Sequence, residues 1–428
     1  MPREPVPLRV LDTMPKNKKE NQKAPTRVLR NVKNTEENPR EPAESVTLLG
    51  GEDIRTLVPP LLAWYCKNRR PLPWRGTGDP YHIWLSEVML QQTRVEAVRP
   101  YFARFLAAAP TVEALAALPE DRLLKLWEGL GYYSRARNLH RAAKILVGEH
   151  GGKMPRDPVA IRALPGIGEY TAGAIASIAF GFPTPAVDGN VLRVLARLTH
   201  DEGDVLLPDT KRRMTALLRL VYLSLPKEGE DTSSECATLT QALMELGQVV
   251  CLPNRTPLCE QCPLAALCRA CADGSHAYIP LRGAKKERRV EERLILLLCD
   301  GEGRYAIRRR PAQGLLGGLW ELPSLLLPEN EPSVDIEELT HRFCAAHGLT
   351  PAESMTLPDA RHLFTHIEWR MHGVFLNVKR EIHDTRVPTF DQNSGAFEGE
   401  MLSFVTPAEL FADYALPSAF RDYLAYIT

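Results

Sequence analysis

Four cysteines, Cys251, Cys259, Cys262 and Cys268, are separated by seven, two and five residues, and Cys271 follows at once. Thiolates grouped around a CxxC step hold zinc or a 4Fe–4S cluster, and the spacing alone leaves both open. Pro253, Pro257 and Pro263 interleave them, which suits a loop wrapped around a metal group better than a core helix with unliganded thiols. Two carboxylates are the next candidates for chemistry. Glu87 lies in Trp84-Leu85-Ser86-Glu87-Val88-Met89-Leu90-Gln91-Gln92-Thr93, where Ile83, Trp84, Leu85, Val88, Met89 and Leu90 cover most of a helix circumference. A carboxyl group in that surface is desolvated and can keep its proton near neutral pH. The alternatives are an ion pair with Arg94 or Arg99, or a place on an exposed strip. Asp188 stands between Pro185 and Gly189, a turn setting that can aim a carboxylate into a cleft.

Two further stretches have the composition of nucleic-acid contacts. In Leu164-Pro165-Gly166-Ile167-Gly168-Glu169-Tyr170-Thr171 two glycines flank one apolar residue. Thr171, Ala172, Ala174, Ile175, Ile178 and Ala179 then repeat at helical spacing, so the stretch reads as a tight turn opening a helix. Backbone N–H groups at Gly166 and Gly168 can approach a phosphate there, and a helix N-terminus favours an anion. In Trp127-Glu128-Gly129-Leu130-Gly131-Tyr132-Tyr133-Ser134-Arg135-Ala136-Arg137-Asn138-Leu139 a glycine-hinged turn presents two tyrosines and then two arginines. Such a turn can wedge a ring into a base stack while the arginines hold phosphates, or it can be a surface turn whose tyrosines close the core.

The elements that must position these groups change character along the chain. Residues 1–52 are rich in Lys, Arg, Asn, Glu and Pro and read as a disordered tail, with too many acids for a transit peptide. Residues 53–270 carry helical periodicity with short Pro- and Gly-marked connections and no convincing strand. The cysteine loop 251–268 closes that segment, and 271–290 is a polar connector. Over 291–428 the period shortens: Leu294–Cys299 and Tyr305–Arg308 flank Asp300-Gly301-Glu302-Gly303 as a hairpin, 335–347 reads as helix, Met371–Val378 as strand and Thr406–Tyr414 as a closing helix. That is an α+β domain behind a mainly α one.

The chain of 428 residues has no net charge, but its charge is segregated. Lys and Arg number 27 against 22 Asp and Glu over 54–282, and 16 against 22 over 283–428, which suits a modestly basic nucleic-acid face on the helical part. No apolar run approaches a membrane span and no secretory signal is read, so the expectation is a cytoplasmic, nucleoid-associated bacterial protein with no membrane partner. Nine cysteines in such a setting argue for metal or cluster chemistry over disulfides.

Taken in order, these features resemble the helix-hairpin-helix DNA glycosylases, and within them the adenine-specific mismatch glycosylases of the MutY family. The resemblance is close over roughly 54–280 and weaker over 291–428. It implies a core of two helical lobes with the active site in the cleft between them, one lobe carrying a 4Fe–4S cluster on Cys251, Cys259, Cys262 and Cys268. It implies a monomer acting on double-stranded DNA that contains adenine opposite 8-oxoguanine or guanine. Glu87 and Asp188 would be the catalytic acid and anion, with Tyr170 and Asn190 positioning them and the attacking water. Gln241, in Thr240-Gln241-Ala242-Leu243-Met244-Glu245, matches the position that contacts the adenine edge, and Arg75 lies near the flipped base in relatives. Gln92 and Tyr132 match positions that probe the opposite strand around 8-oxoguanine. Related endonuclease III-type enzymes carry a lysine at position 170 and cleave the strand after attacking the sugar. Tyr170 cannot form a Schiff base and Leu192 offers no substitute amine, so the expectation is a monofunctional enzyme, the bifunctional glycosylase/lyase being the alternative.

Gly314-Leu315-Leu316-Gly317-Gly318-Leu319-Trp320-Glu321-Leu322-Pro323 resembles the start of the Nudix signature region. The helix Glu337-Glu338-Leu339-Thr340-His341-Arg342-Phe343 lacks the clustered carboxylates that hydrolases use for Mg²⁺, so nucleotide hydrolysis is not expected. Phe364, Thr365 and His366 resemble the family's Phe-Ser-His reading loop, with Thr365 keeping the hydroxyl. The family usually has six residues between its first two cysteines. Here there are seven, and Cys271 is a possible substitute ligand.

Overall fold

The computed structural model describes residues 48–225, 235–283, 287–328, 335–380 and 401–428, with the backbone of 390–391 and 396–397. The tail reading of 1–52 falls largely on residues outside those described. Leu48 is already fully buried, so the folded part starts at or before it.

The first part is helical: α1 Val58–Asn68, α2 Pro80–Leu90, α3 Val95–Ala108, α4 Val112–Ala117, α5 Glu120–Trp127, α6 Ser134–His150, α7 Pro158–Ala163, α8 Glu169–Phe180, α9 Gly189–Thr199, α10 Pro208–Leu223, α11 Glu235–Val249 and α12 Arg269–Ala272. Several starts are written in short polar side chains. Asp79, Thr111, Asp157 and Asp188 each accept a hydrogen bond from a first-turn N–H, and proline follows Asp79 and Asp157 at the first helical position.

Two hydrophobic cores form. One gathers Trp84, Leu85, Phe102, Phe105, Leu115, Trp127, Leu139 and Leu146, from α2 to α6. The other joins Leu48, Ile54, Leu57 and Leu61 to Val191, Leu195, Leu218, Tyr222, Leu239 and Leu243. α8 is the shared wall: Ala172, Ile175 and Ala176 face the first core and Ala174 the second. A helix with apolar residues on all sides can only be buried, which is why α8 divides two lobes.

The second part is a sheet in the order β3-β2-β1-β6-β5, with β4 paired to β1 and β9 to β2. Its strands are β1 Arg289–Asp300, β2 Tyr305–Arg309, β3 Trp320–Glu321, β4 Ser324–Leu326, β5 Leu349–Leu363, β6 Ile367–Arg380 and β9 Ser403–Val405, beside a separate ribbon of β7 Phe390–Asp391 and β8 Ala396–Phe397. β1 runs parallel to β6 and antiparallel to β2, with Cys299 opposite Tyr305 across the expected hairpin. Alternation along β1 builds both faces. Ile295 and Leu297 pack with Trp369, Phe420 and Tyr423, and Leu294, Leu296 and Leu298 pack with Phe343 of α13 Ile336–Ala346. α14 Pro407–Asp413 starts at a reciprocal capping box between Thr406 and Glu409, and α15 Arg421–Leu424 closes the chain.

This domain docks on α5. Arg309 reaches Asp121 at 3.0 Å, Lys125 donates to the Tyr414 carbonyl at 2.9 Å, and the Leu416 N–H donates to Glu128 at 2.8 Å. Leu319 and Ala415 enter the first helical core. Among the described residues no helix is long and apolar enough to cross a membrane.

Candidate active site

Between the two lobes lies a cavity of about 1050 Å³, and Arg75, Glu87, Gln92, Tyr170, Asp188, Asn190 and Gln241 all line it. Seven residues chosen from five separate stretches of sequence thus share one wall. Glu87, on α2, is 6% exposed. It pairs with neither Arg94 nor Arg99; the Tyr170 hydroxyl, from the first turn of α8, donates to its Oε2 at 2.5 Å. Burial pushes the Glu87 carboxyl up to about 7, aided by the charge of Asp188 and opposed by the Tyr170 bond and Arg75. Burial, and then the nearby carboxylates, raise the Tyr170 phenol well above its ordinary value, so it stays a donor.

Asp188 caps α9. Its Oδ1 accepts from the N–H groups of Asn190 at 2.9 Å and Val191 at 2.7 Å, and its Oδ2 accepts from Asn190 Nδ2 at 2.7 Å. Burial raises its carboxyl, while these three bonds and Arg193 favour the charged form. The positive end of the α9 dipole acts in the same sense. The two carboxylates therefore sit in contrasting settings, one apolar and one rich in donors. α11 packs close behind: a Cβ on Gly247 would come within 2.7 Å of Asn190 Cβ, so only glycine lets the helix approach this loop.

Two functional groups were not singled out from sequence. Glu245 is fully buried and binds Arg70 Nε and Arg75 Nη2, each at 2.7 Å. Burial opposes its charge, but the two guanidiniums outweigh it and hold the carboxyl near 2. Its signal was the spacing: Glu245 follows Gln241 by four residues and shares its helix face. Arg193, on α9, donates to Asn190 Oδ1 at 3.0 Å and to the Cys251 carbonyl at 2.8 Å, tying the catalytic loop to the cysteine loop. Gln241 is fixed from two sides. The Tyr65 hydroxyl donates to its Oε1 at 3.1 Å, and its Nε2 donates to the Ala237 carbonyl at 3.3 Å. Since a carbonyl only accepts, a flip would set Oε1 against the Ala237 carbonyl, and this fixes the orientation of the amide.

A second cleft, of about 1090 Å³, separates the helical part from the sheet domain; Gln92, Tyr132, Phe364, Thr365 and His366 line it. Gln92 lines both cavities. Gln92 and Tyr132 have φ of 58° and 49°, the left-handed region that non-glycine residues rarely enter and that often marks a functional constraint. Tyr132 is 46% exposed, and its hydroxyl shares a 2.8 Å hydrogen bond with Thr365. The tight turn 364–366 links β5 to β6, and the Phe364 ring meets Trp369 edge-on at 4.8 Å, so Phe364 anchors the turn that exposes Thr365 and His366.

Three expectations change here. Only one tyrosine of the glycine-hinged turn is presented, because Tyr133 is 6% exposed and packs in the core. Arg135 is buried too. It donates to the carbonyls of Val88, Met89, Gln91, Leu130 and Gly131, clamping the end of α2 to the turn, and at 8% exposure it is out of reach of a phosphate. Arg137 is paired with Glu120 at 2.7 Å. Gly166 takes φ of 77° with Asn138 against it, and Gly168 caps α8. Both sit at the helix N-terminus, as the turn reading requires, and line neither cleft.

Cys251, Cys259, Cys262, Cys268 and Cys271 line a third, apolar cavity with Val194, Leu246 and Leu264. Between Leu252 and Leu258 the loop turns at Asn254, with φ of 57°, and the Leu258 N–H returns to the Val250 carbonyl at 2.9 Å. Arg197 Nη1 donates to the Cys251 sulfur at 3.3 Å. Burial pushes the thiols of Cys259, Cys262 and Cys268 up to about 11, 12 and 11. The buried Nδ1 of His276, on the same wall, has no hydrogen-bond partner among the described residues. The sulfurs line a wall and do not converge: no three His, Cys, Asp or Glu side chains among the described residues are grouped to hold a single ion.

Residues 85–221 match the family model for HhH-GPD superfamily base excision DNA repair proteins, and residues 294–426 match that of the NUDIX domain. The chain is 36% identical over 371 residues to the adenine DNA glycosylase of Mus musculus, covering 74% of this chain and 69% of that protein. Against the adenine DNA glycosylase of Homo sapiens it is 34% identical over 387 residues, covering 77% and 68%. Against that of Schizosaccharomyces pombe it is 33% identical over 387 residues, covering 75% and 82%.

Proposed function

The chain belongs to the adenine DNA glycosylases, and from that premise we propose that Glu87 and Asp188 excise adenine lying opposite 8-oxoguanine or guanine in duplex DNA. Adenine must leave the stack before a side chain can reach it, and the cavity between the lobes is the room that receives it. Gln241 offers a fixed donor and acceptor to the base edge, as a glutamine amide does for adenine. Tyr170 engages Glu87 Oε2, which leaves Oε1 to carry a proton toward N7, so that the base departs neutral. The sugar then carries oxocarbenium character, and Asp188 faces it as an anion or as a transient nucleophile, the two-carboxylate division of labour found in retaining glycosidases. Asn190 orients Asp188 and, with Tyr170, the water that completes hydrolysis. Tyr170 and Leu192 supply no amine, so the strand stays intact.

The opposite strand is read in the second cleft. Tyr132 wedges beside the lesion, Gln92 spans the two cavities, and the hydroxyl of Thr365 bonds the damaged base, with His366 beside it. Arg94, Lys211 and Arg255 line the mouth of the catalytic cavity and attract phosphates. The spread of thiols around an apolar wall favours a 4Fe–4S cluster held by Cys251, Cys259, Cys262 and Cys268 over one zinc ion. When bound, the cluster would cross-link loop 251–268 and thereby fix Arg193 behind the catalytic loop.

The observation that carries this reading is the buried Tyr170–Glu87 hydrogen bond in one cavity with Asp188. Glu87→Gln keeps the shape and removes the acid. Loss of about 10³-fold in single-turnover adenine release, with duplex binding retained, is the expected result. A variant that excises at the parental rate removes Glu87 from the mechanism.

A further inference from the structure

We infer that Cys271 is a reserve ligand of the iron–sulfur site, able to take the iron corner that Cys259 occupies; this rests on the cluster reading above. The sequence holds two CxxC steps, Cys259-Glu260-Gln261-Cys262 and Cys268-Arg269-Ala270-Cys271, so two overlapping quartets of thiols are present. In the fold all five sulfurs reach one cavity wall. Their surroundings differ. Cys251 receives a hydrogen bond from Arg197 Nη1 at 3.3 Å, and Cys268 donates to the Arg197 carbonyl at 3.5 Å, so both are moored to α9. Cys259 and Cys271 are neighbours on that wall. Cys271 rides on α12, whose Ala270 is fully buried, so its sulfur is carried by a short anchored helix, whereas Cys259 sits at the end of the lengthened loop. Cys259, which lacks such a bond to α9 among the described residues, thus has a spare thiol on the same wall.

The exchange is a ligand substitution with no change of oxidation state. Cys271 gives its proton to water and its sulfur bonds the iron, while the Cys259 sulfur leaves that iron and takes up a proton. The full-length chain, purified without oxygen, tests this by iron and sulfide per chain and by the cluster's visible absorption, with circular dichroism to report folding. The parent and Cys271→Ser are expected to hold about four irons per chain. Cys259→Ser should stay within about twofold of that, with an altered absorption band, while Cys262→Ser and the Cys259→Ser/Cys271→Ser double variant should lose iron about tenfold. Iron loss in Cys259→Ser as complete as in Cys262→Ser overturns the reserve role, and so does iron retained by the double variant. A parent chain without iron, or with one zinc, overturns the cluster reading itself and is visible before any variant is compared.

Discussion

At the scale of single residues, chemistry depends on burial setting the charge of a side chain. Glu87 titrates at about 7 in the fold against an ordinary value of 4.5, so the fold binds the extra proton between those values. Adenine release should therefore fall as pH rises through 7, and this limb should vanish in any residual activity of Glu87→Gln. The same shift acts on stability. The native state binds more protons than the unfolded chain between pH 4.5 and 7, so stability from this group is full below 4.5 and is lost as pH rises through 7. Glu87→Gln should be more stable than the parent at pH 8 by on the order of 3 kcal/mol, read from urea unfolding. Tyr65 acts one step removed, through Gln241. Tyr65→Phe frees one end of the amide and should slow adenine excision about fivefold while sparing purine, which lacks the exocyclic amine. An equal loss on both bases would make Tyr65 a packing residue. Glu87 and Asp188 were legible because their neighbours are of one kind, apolar around one and turn-forming around the other. Glu245 was harder to find: its four-residue spacing from Gln241 is the only mark, and the two arginines that bind it lie 175 and 170 positions away in sequence.

At the scale of elements, position comes from clamps between segments. Arg135 binds five backbone carbonyls at the end of α2 and in the turn 129–132, and Gln92 and Tyr132 sit in left-handed conformations on either side of it. Removing that guanidinium leaves buried carbonyls unpaired. Arg135→Met should cost about 3 kcal/mol in thermal or urea unfolding and relax both turns. If stability is unchanged, the arginine does not hold the turns. Helix α8 and the hairpin of β1 with β2 could be read directly, because apolar period and turn residues agree there. β5 could not. It carries Pro351 and Pro358, breaks register twice and is mostly exposed, which reads as loop; as the edge strand of the sheet it tolerates the missing N–H groups. By type alone the two arginines after Tyr132 suit phosphates as well as they suit an ordinary turn, and only the packed fold shows that the turn itself consumes one of them.

At the scale of the whole molecule, two clefts share Gln92, and the proposed function assigns one DNA strand to each, with the sheet domain reading a base. The hydrogen bond between Tyr132 and Thr365 marks where the helical part and the sheet domain meet. Thr365→Ala should narrow the preference for 8-oxoguanine over guanine opposite adenine more than it weakens duplex affinity; an equal loss on both duplexes would leave the sheet domain without a reading role. This arrangement was visible in the sequence only as an order of motifs, since nothing in two residues 233 positions apart predicts that the hydroxyls of Tyr132 and Thr365 touch. The central claim is that Glu87 and Asp188 release adenine without cutting the strand. A labelled duplex with adenine opposite 8-oxoguanine, quenched with and without alkali, measures it directly. The predicted result is strand breaks that appear only after alkali with the parent chain and are absent with Glu87→Gln. Breaks formed without alkali and trapped on the protein by borohydride, or a Glu87→Gln chain that works at the parental rate, would contradict it.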